Sequence, residues 1–208
     1  MSDSVNTRLL TRHLGFCDYD KTYQAMRDFT HHRDHDTSDE LWLLQHYPVF
    51  TQGKAGKAEH ILKKSDIPII QSDRGGQITY HAPGQLVVYF LLDLHRRHMN
   101  IRQLLDVIEQ SVIALLAQYN ITGHLINKQP GVYVDHKKIA SLGIHIHKGR
   151  SYHGLSLNVN MDLQPFTWIN PCGIKNLGVT QLADLGCDSD VDTIGAQLRQ
   201  YIIKKMEN

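Results

Sequence analysis

Cys172 stands between a proline and a glycine in the run Asn170-Pro171-Cys172-Gly173-Ile174. Proline fixes φ on one side and glycine leaves it free on the other, a backbone suited to holding a sulfur at a set angle. The chemistry such a seat offers is nucleophilic. A free thiol has a pKa of about 8.5 and is mostly protonated at neutral pH, so a working nucleophile needs a positive neighbour that favours the thiolate. Lys138, in Asp135-His136-Lys137-Lys138-Ile139, is the candidate for that neighbour. Taken alone, Cys172 has a second reading as a small buried apolar residue.

The stretch Arg74-Gly75-Gly76-Gln77-Ile78-Thr79-Tyr80-His81-Ala82-Pro83-Gly84-Gln85 contains neither a phosphate-cradling loop with its terminal Lys-Ser/Thr nor the spaced glycines of a dinucleotide site. Gly75 and Gly76 would let a ligand approach the backbone closely, with Arg74 and His81 to orient its polar groups. The alternative is a glycine turn between strands. Fourteen histidines raise the question of a metal. His31-His32-Arg33-Asp34-His35-Asp36 is polar, has Arg33 inserted and lacks the spacing of a tetrahedral zinc site, so no metal is assigned. His145 and His147 share one face of a strand without a third ligand, and read as half-buried sheet residues.

These residues need elements to position them. Arg8–Gly15 alternates weakly as an opening strand, and a helix is expected over about Tyr19–Thr30. Glu40–His46 and Gln85–Leu92 are apolar enough for buried strands, Ile67–Gln71 is a shorter one, and Pro48–Gly53 reads as punctuated loop. After Asn100, a good amino-terminal cap, Ile101, Leu104, Leu105, Ile108, Val112, Leu115 and Leu116 form one apolar helical stripe. Gly131–Val134 and Ile139–Ile146 flank a turn carrying Lys137 and Lys138, the pattern of a hairpin, and Leu155–Asn160 alternates as a further strand. Val191–Lys205 reads as a terminal helix. Strands in runs with few crossover helices fit an α+β layer better than a doubly wound nucleotide fold.

Composition sets the surroundings. The 208 residues fit one domain spanning 1–208, with 41% hydrophobic and 21% charged residues, and no stretch has the apolar length to span a bilayer. Met1-Ser2-Asp3-Ser4 carries nothing like a secretory signal, and Cys17, Cys172 and Cys187 are an odd set that suits a reducing cytoplasm. A formal net charge of +1 argues against electrostatic capture of nucleic acid. Lys54, Lys57, Lys63 and Lys64 are the one basic concentration, either a solvated loop or a surface for an acidic protein partner.

Four separated motifs, in order, carry a resemblance. Arg74-Gly75-Gly76 with Thr79, His81 and Pro83-Gly84-Gln85, then Lys138-Ile139-Ala140-Ser141-Leu142-Gly143, His153-Gly154-Leu155 and Asn170-Pro171-Cys172-Gly173 resemble the octanoyltransferase family of lipoate biosynthesis. Pro48–Gly53 also fits its early loop, and the likeness spans roughly Leu41 to Leu185. The chain departs from the family pattern at Ala82 and Ser156, neither of which carries the thiol or the lysine.

The resemblance implies the α+β fold shared with biotin and lipoate protein ligases, a mixed, largely antiparallel sheet packed with helices. It implies transfer of an octanoyl (or lipoyl) group from octanoyl-acyl carrier protein to a specific lysine of lipoyl domains, the first step of endogenous protein lipoylation. The acceptors are the E2 subunits of 2-oxoacid dehydrogenases and the glycine cleavage H protein. Cys172 and Lys138 are the implied catalytic residues. Arg74, Gly75, Gly76, Gln77, Ile78, Thr79, Tyr80, His81, Ser141, Leu142, Gly143, Gly154, Leu155 and Ser156 are implied to line the acyl site, with Ile78, Leu142 and Leu155 as apolar wall. No cofactor and no metal are implied, since the acyl group travels on the carrier's phosphopantetheine. A cytoplasmic monomer that binds neither nucleic acid nor membrane is expected. Two alternatives stand beside this reading. One is an ATP-dependent ligase, whose usual extra serine-glycine element near Arg74-Gly75-Gly76 is missing here; the other is a non-catalytic binder of lipoyl domains or acyl carrier, which would not need the thiol and its lysine.

Overall fold

Along Gln85–Leu91, Leu86, Val88 and Phe90 face one buried layer while Val87, Tyr89 and Leu91 face another. A strand buried on both faces belongs in the middle of a sheet. The computed structural model describes residues 9–207; Arg8 and the Met1-Ser2-Asp3-Ser4 terminus lie outside them. In chain order the elements are β1 (Leu9–Cys17), α1 (Tyr19–His32), β2 (Asp39–His46), β3 (Val49–Gln52), β4 (Ile69–Gln71), β5 (Ile78–His81), β6 (Gln85–Leu91), α2 (Ile101–Gln118), β7 (His124–Ile126), β8 (Gln129–Val134), β9 (Lys137–His147), β10 (Arg150–Asn158) and α3 (Val191–Met206). Seven strands form one sheet in the order β1-β2-β6-β10-β9-β8-β7, and β4-β3-β5 form a second, smaller one. Among the strand pairs of the described residues, only β1 with β2 and β3 with β4 run parallel. This is the mixed, largely antiparallel α+β arrangement expected from the sequence.

Helices α2 and α3 cover one face of the large sheet, packing Leu104, Ile108 and Leu198 over Leu43, Val88 and Phe90. Helix α1 covers part of the other, where Met26 packs with Trp42, Tyr89 and Tyr152. From Leu104 on the α2 stripe packs as core, with Leu105 half-buried, but Ile101 in the first turn is exposed; the helix starts with a reciprocal cap, in which the Asn100 side chain accepts from Gln103 N and the Gln103 side chain accepts from Asn100 N. The small sheet has its own apolar cluster of Phe50, Ile78, Tyr80, Phe166 and Ile169. No helix among the described residues is long and apolar enough to cross a membrane.

Three short strands, β3, β5 and β7, depart from the sequence reading. Val49–Gln52, expected as loop, pairs with both Ile69–Gln71 and Ile78–His81. His124–Ile126 adds an edge strand beside β8. Each has only three or four residues, too few for alternation to show, and long-range pairing decides them. The hairpin turn is also tighter than expected. Asp135 and His136 alone make it, at φ 46° and 66°, the left-handed pair that matches strand twist in two-residue loops. Lys137 and Lys138 therefore begin β9 instead of lying in the turn.

Removal of the cap by Asn100→Ala is expected to cost about 1 kcal/mol, and Leu104→Ala, which empties a fully buried position, about 2–5 kcal/mol. Urea unfolding of the two variants checks the ranking; an equal loss would contradict the packing described.

Candidate functional site

The nucleophile's seat is built by backbone. Pro171–Gly173 forms a single 3-10 turn in which Cys172 takes φ 56°, ψ 16° and Gly173 takes φ 74°. Two consecutive left-handed residues fold the chain back sharply, and glycine at the second also clears Gln77: a Cβ there would lie 2.1 Å from its Nε2. The turn is anchored upstream where Asn170 N donates to His60 O at 2.8 Å, and it closes through Gly173 N to Asn170 O at 2.9 Å.

Lys138 reaches this turn because of a bulge. Across β8 and β9, Val132 pairs with Ala140 but Tyr133 pairs with Lys138, leaving Ile139 as the extra residue. A bulge re-aims the side chains around it. The Lys138 backbone then bonds the segment that follows the nucleophile, with Lys138 N to Gly178 O at 2.9 Å and Thr180 N to Lys138 O at 3.0 Å. Its Nζ lies 3.2 Å from Cys172 Sγ and donates to Pro130 O at 2.9 Å. Lys138 is buried while Lys137 is exposed. Burial acts to lower the Lys138 pKa, but the charge of Cys172 and the Tyr133 side chain outweigh it and leave the ammonium favoured above the ordinary lysine value.

Beside Cys172 a cleft opens between the small sheet and strands β6, β9 and β10. Of the residues expected to line it, Arg74, Gly76, Gln77, Thr79, His81, Ser141, Leu142, Gly143, Gly154, Leu155 and Ser156 do so. Ile78 and Tyr80 do not. On β5 side chains alternate, so Thr79 and His81 face the cleft while Ile78 and Tyr80 turn into the small sheet's apolar cluster. Gly75 lies behind the wall, its N–H bonded to Ile144 O at 3.2 Å. Ala82 joins the same apolar cluster, away from the cleft. Four wall residues escaped the sequence reading as ligand contacts: Tyr19, Val87, Tyr89 and His153. The β6 alternation could have indicated Val87 and Tyr89 as facing one side; nothing local to Tyr19 indicates it.

The polar atoms of Arg74 and His81 are bonded within the protein. The buried Arg74 guanidinium donates to Thr51 O at 2.6 Å, Gln77 O at 2.7 Å, Gly75 O at 2.9 Å and Thr51 Oγ1. Thr51 Oγ1, already accepting, passes its own proton to His81 Nε2 at 3.2 Å, and His81 Nδ1 faces Gln85 Oε1 at 2.7 Å. Gln85 Nε2 in turn donates to Asn158 Oδ1 and Tyr80 O, which assigns the proton to His81 Nδ1. His46 is gripped in the same way, by Cys17 O and the Tyr89 hydroxyl. Burial, reinforced for His81 by His46, pushes His46 down to about 4 and His81 down to about 3, so both are neutral at pH 7.

A second polar group borders the cleft. The Asp73 carboxylate accepts from His153 Nε2 at 2.8 Å and from the Tyr152 hydroxyl. Burial favours the protonated acid, but the bonds from His153, Tyr152 and Tyr23 outweigh it and hold Asp73 well below the usual carboxylate range. His153 is itself pushed down by burial against the pull of Asp73, so the pair is a neutral imidazole on a carboxylate. The basic loop lies near the nucleophile's strand of chain: Leu62 N and Lys63 N donate to Trp168 O, and Lys63 Nζ stands 4.7 Å over the Trp168 ring. The histidines of the run are exposed, and the His31 ring lies 4.3 Å from that of His147, tilted by 48°. Among the described residues no group of three or more His, Cys, Asp or Glu is placed to hold a metal ion.

A family model described as the lipoyl protein ligase A/B catalytic domain matches residues 18–203. The chain is 54% identical over 200 residues to an octanoyltransferase of Haemophilus influenzae, covering 95% of this chain and 94% of that protein. It is 56% identical over 203 residues to an octanoyltransferase of Psychromonas ingrahamii, covering 98% and 92%. Among solved structures, lipoate-protein ligase A bound with ATP superposes with a TM-score of 0.74 at 16% identity, covering 97% of this chain and 86% of the other. A bipartite lipoate protein ligase from Thermoplasma acidophilum, described with its E2 lipoyl domain, gives 0.73 at 16% identity, covering 98% and 84%. These last two likenesses are of fold.

The neutral histidines make a stability prediction. Unfolded, His46 and His81 titrate near the ordinary histidine value of about 6.5, so below that pH the unfolded chain binds protons the folded chain refuses. Stability is therefore expected to fall as pH drops from about 6.5 to about 4, on the order of 1 kcal/mol per pH unit for each histidine. Urea midpoints at about pH 7, 6 and 5 check it: His46→Gln should lose stability more gradually on acidification, and an unchanged slope would count against a neutral buried His46.

Proposed function

We propose, from the premise that this chain belongs to the octanoyltransferase branch of the lipoyl protein ligase A/B catalytic-domain family, that its acyl transfer runs through a thioester on Cys172 without ATP. The observation that carries this reading is the 3.2 Å contact between Lys138 Nζ and Cys172 Sγ beside the cleft. The Lys138 ammonium stabilises the thiolate, which attacks the carbonyl of the donor thioester. The bond to the donor sulfur breaks, Lys138 gives that sulfur its proton, and an octanoyl thioester remains on Cys172. In the second half the acceptor lysine attacks as a neutral amine. Lys138 takes the proton the new amide sheds, Cys172 leaves as thiolate, and the starting pair is restored.

The donor is octanoyl-acyl carrier protein, its acyl group borne on phosphopantetheine, so the enzyme needs no cofactor or metal of its own. The acceptors are lipoyl domains, those of 2-oxoacid dehydrogenase E2 subunits and the glycine cleavage H protein. The exposed Lys54, Lys57, Lys63 and Lys64 suit an acidic surface on a protein partner approaching Cys172. The enzyme works as a cytoplasmic monomer. Leu142 and Leu155 give the cleft apolar wall for an eight-carbon chain. The oxyanion of each half requires preorganised donors. The amides of Gly173, Ile174 and Gly75 are already bonded within the protein, which leaves the other amides of the two turns for that role.

Intact mass after mixing with octanoyl-acyl carrier protein, without ATP, tests the route. An octanoyl adduct that hydroxylamine removes and that passes to a lipoyl domain is expected, and Cys172→Ser should form none. Transfer that survives in Cys172→Ser would sink the thioester route. Lys138→Ala is expected to keep the fold and slow acylation by on the order of 100-fold, most severely below neutral pH where the unassisted thiol stays protonated. Acylation rates that match the unmodified protein across pH would remove Lys138 from the mechanism.

A further inference from the structure

One peptide unit touches both the working lysine and a carboxylate that the mechanism above does not use. The Pro130 carbonyl accepts from Lys138 Nζ at 2.9 Å, and the N–H at the other end of the same peptide bond, that of Gly131, donates to Glu109 Oε1 at 2.9 Å. The peptide is trans, so its carbonyl and N–H point in opposite directions and one rotation sets both. Glu109 comes from α2, where it stands half-buried beside the apolar stripe that packs on the sheet.

A Pro-Gly peptide is easily turned over. Proline fixes φ before it, but ψ of Pro130 and φ of Gly131 are free to counter-rotate, and Gly131 already sits at φ 129°, a region closed to other residues. Glycine is also required by space, since a Cβ would lie 2.5 Å from Ala140 O and 3.2 Å from Lys138 Nζ. If the unit turned over, it would present an N–H donor to an ammonium and withdraw its acceptor. With Pro130 O in place, one of the three Lys138 protons is committed and Nζ is steered to within 3.2 Å of Cys172.

We propose that Glu109 is a positioning residue for the acyl transfer: by holding the Gly131 N–H it locks the Pro130–Gly131 peptide with its carbonyl toward Lys138, and so aims the ammonium at Cys172. The inference rests on the reading of Cys172 and Lys138 as the reacting pair. The other ionisable groups around this arrangement are Tyr133, whose ring lies 5.1 Å from Lys138 Nζ, Asp106 beside Glu109 on α2, and Arg74 across the cleft from Cys172. Burial pushes the Glu109 pKa up while the Gly131 N–H opposes it, as fits a half-buried carboxyl.

The test is the pH dependence of Cys172 alkylation by iodoacetamide, read on the Cys172 peptide by mass spectrometry in the full chain. Glu109→Gln keeps an acceptor at the same reach, and Glu109→Asp keeps the charge but falls one methylene short. The alkylation midpoint is expected to rise by about half a pH unit or more in Glu109→Asp and to stay within about 0.2 unit of the unmodified protein in Glu109→Gln. A midpoint unmoved in Glu109→Asp, whatever happens to its melting temperature, overturns the proposal. Lys138→Ala, run alongside, separates the two readings. If it raises the midpoint while Glu109→Asp does not, only the Glu109 inference fails; if it too leaves the midpoint in place, the Cys172–Lys138 reading fails and takes this one with it.

Discussion

The site depends on two backbone hydrogen bonds, Lys138 N to Gly178 O and Thr180 N to Lys138 O. They join the first residues of β9 to the segment that follows the nucleophile turn, and so close a gap of 34 residues to a 3.2 Å contact between a thiol and an amine. Each bond adds only about 1 kcal/mol of net stability, but an unmade one would leave a buried donor or acceptor unsatisfied, so the seam resists slipping. The bulge at Ile139 then decides which side chain the seam delivers. Without the extra residue the alternation of β9 would run one step out of phase, and Lys138 would exchange faces with its neighbours.

Buried charge is handled differently near the cleft and away from it. At the far end of β2, the Asp39 carboxylate is matched by Arg33, Arg96 and Arg97, an ion cluster that closes the loop after α1. Arg74, which lines the cleft with Cys172, has no carboxylate partner among the described residues and donates to backbone carbonyls and Thr51. Burying an unpaired cation costs stability. Here the guanidinium adds positive potential where the proposed mechanism develops a thiolate and then an oxyanion, while its hydrogen bonds hold the Gly75-Gly76 turn in shape. The neutral His81 and Gln85 extend that scaffold across to Asn158 on β10, so one chain of hydrogen bonds ties the small sheet to the large one along the cleft.

Much of the molecule can be read from residue order. The α2 stripe, its Asn100 cap, the terminal helix and the two-faced burial of β6 follow from spacing that local geometry imposes, and four ordered motifs point to the family. The short strands could not be read that way. Val49–Gln52 becomes a strand because Ile69–Gln71 and Ile78–His81 come to lie on either side of it. Ile78 and Tyr80 could be placed within the right segment, yet only the pairing of β5 shows that they face the apolar cluster while Thr79 and His81 face the cleft.

The sequence by itself determined the chemistry available: a thiol on a Pro-Cys-Gly seat, a lysine in a hairpin, and apolar strands and helices enough to bury both. Tertiary structure alone decided how Lys138, already singled out by its motif, is carried to the thiol by a bulge, where the polar atoms of Arg74 and His81 bond within the protein, and that Glu109, a helix residue with no motif around it, comes to the back of the working peptide. The reason is physical. Periodicity and turn chemistry act over a few residues, whereas register, bulges and the partners of buried polar groups are set by segments far apart in the chain.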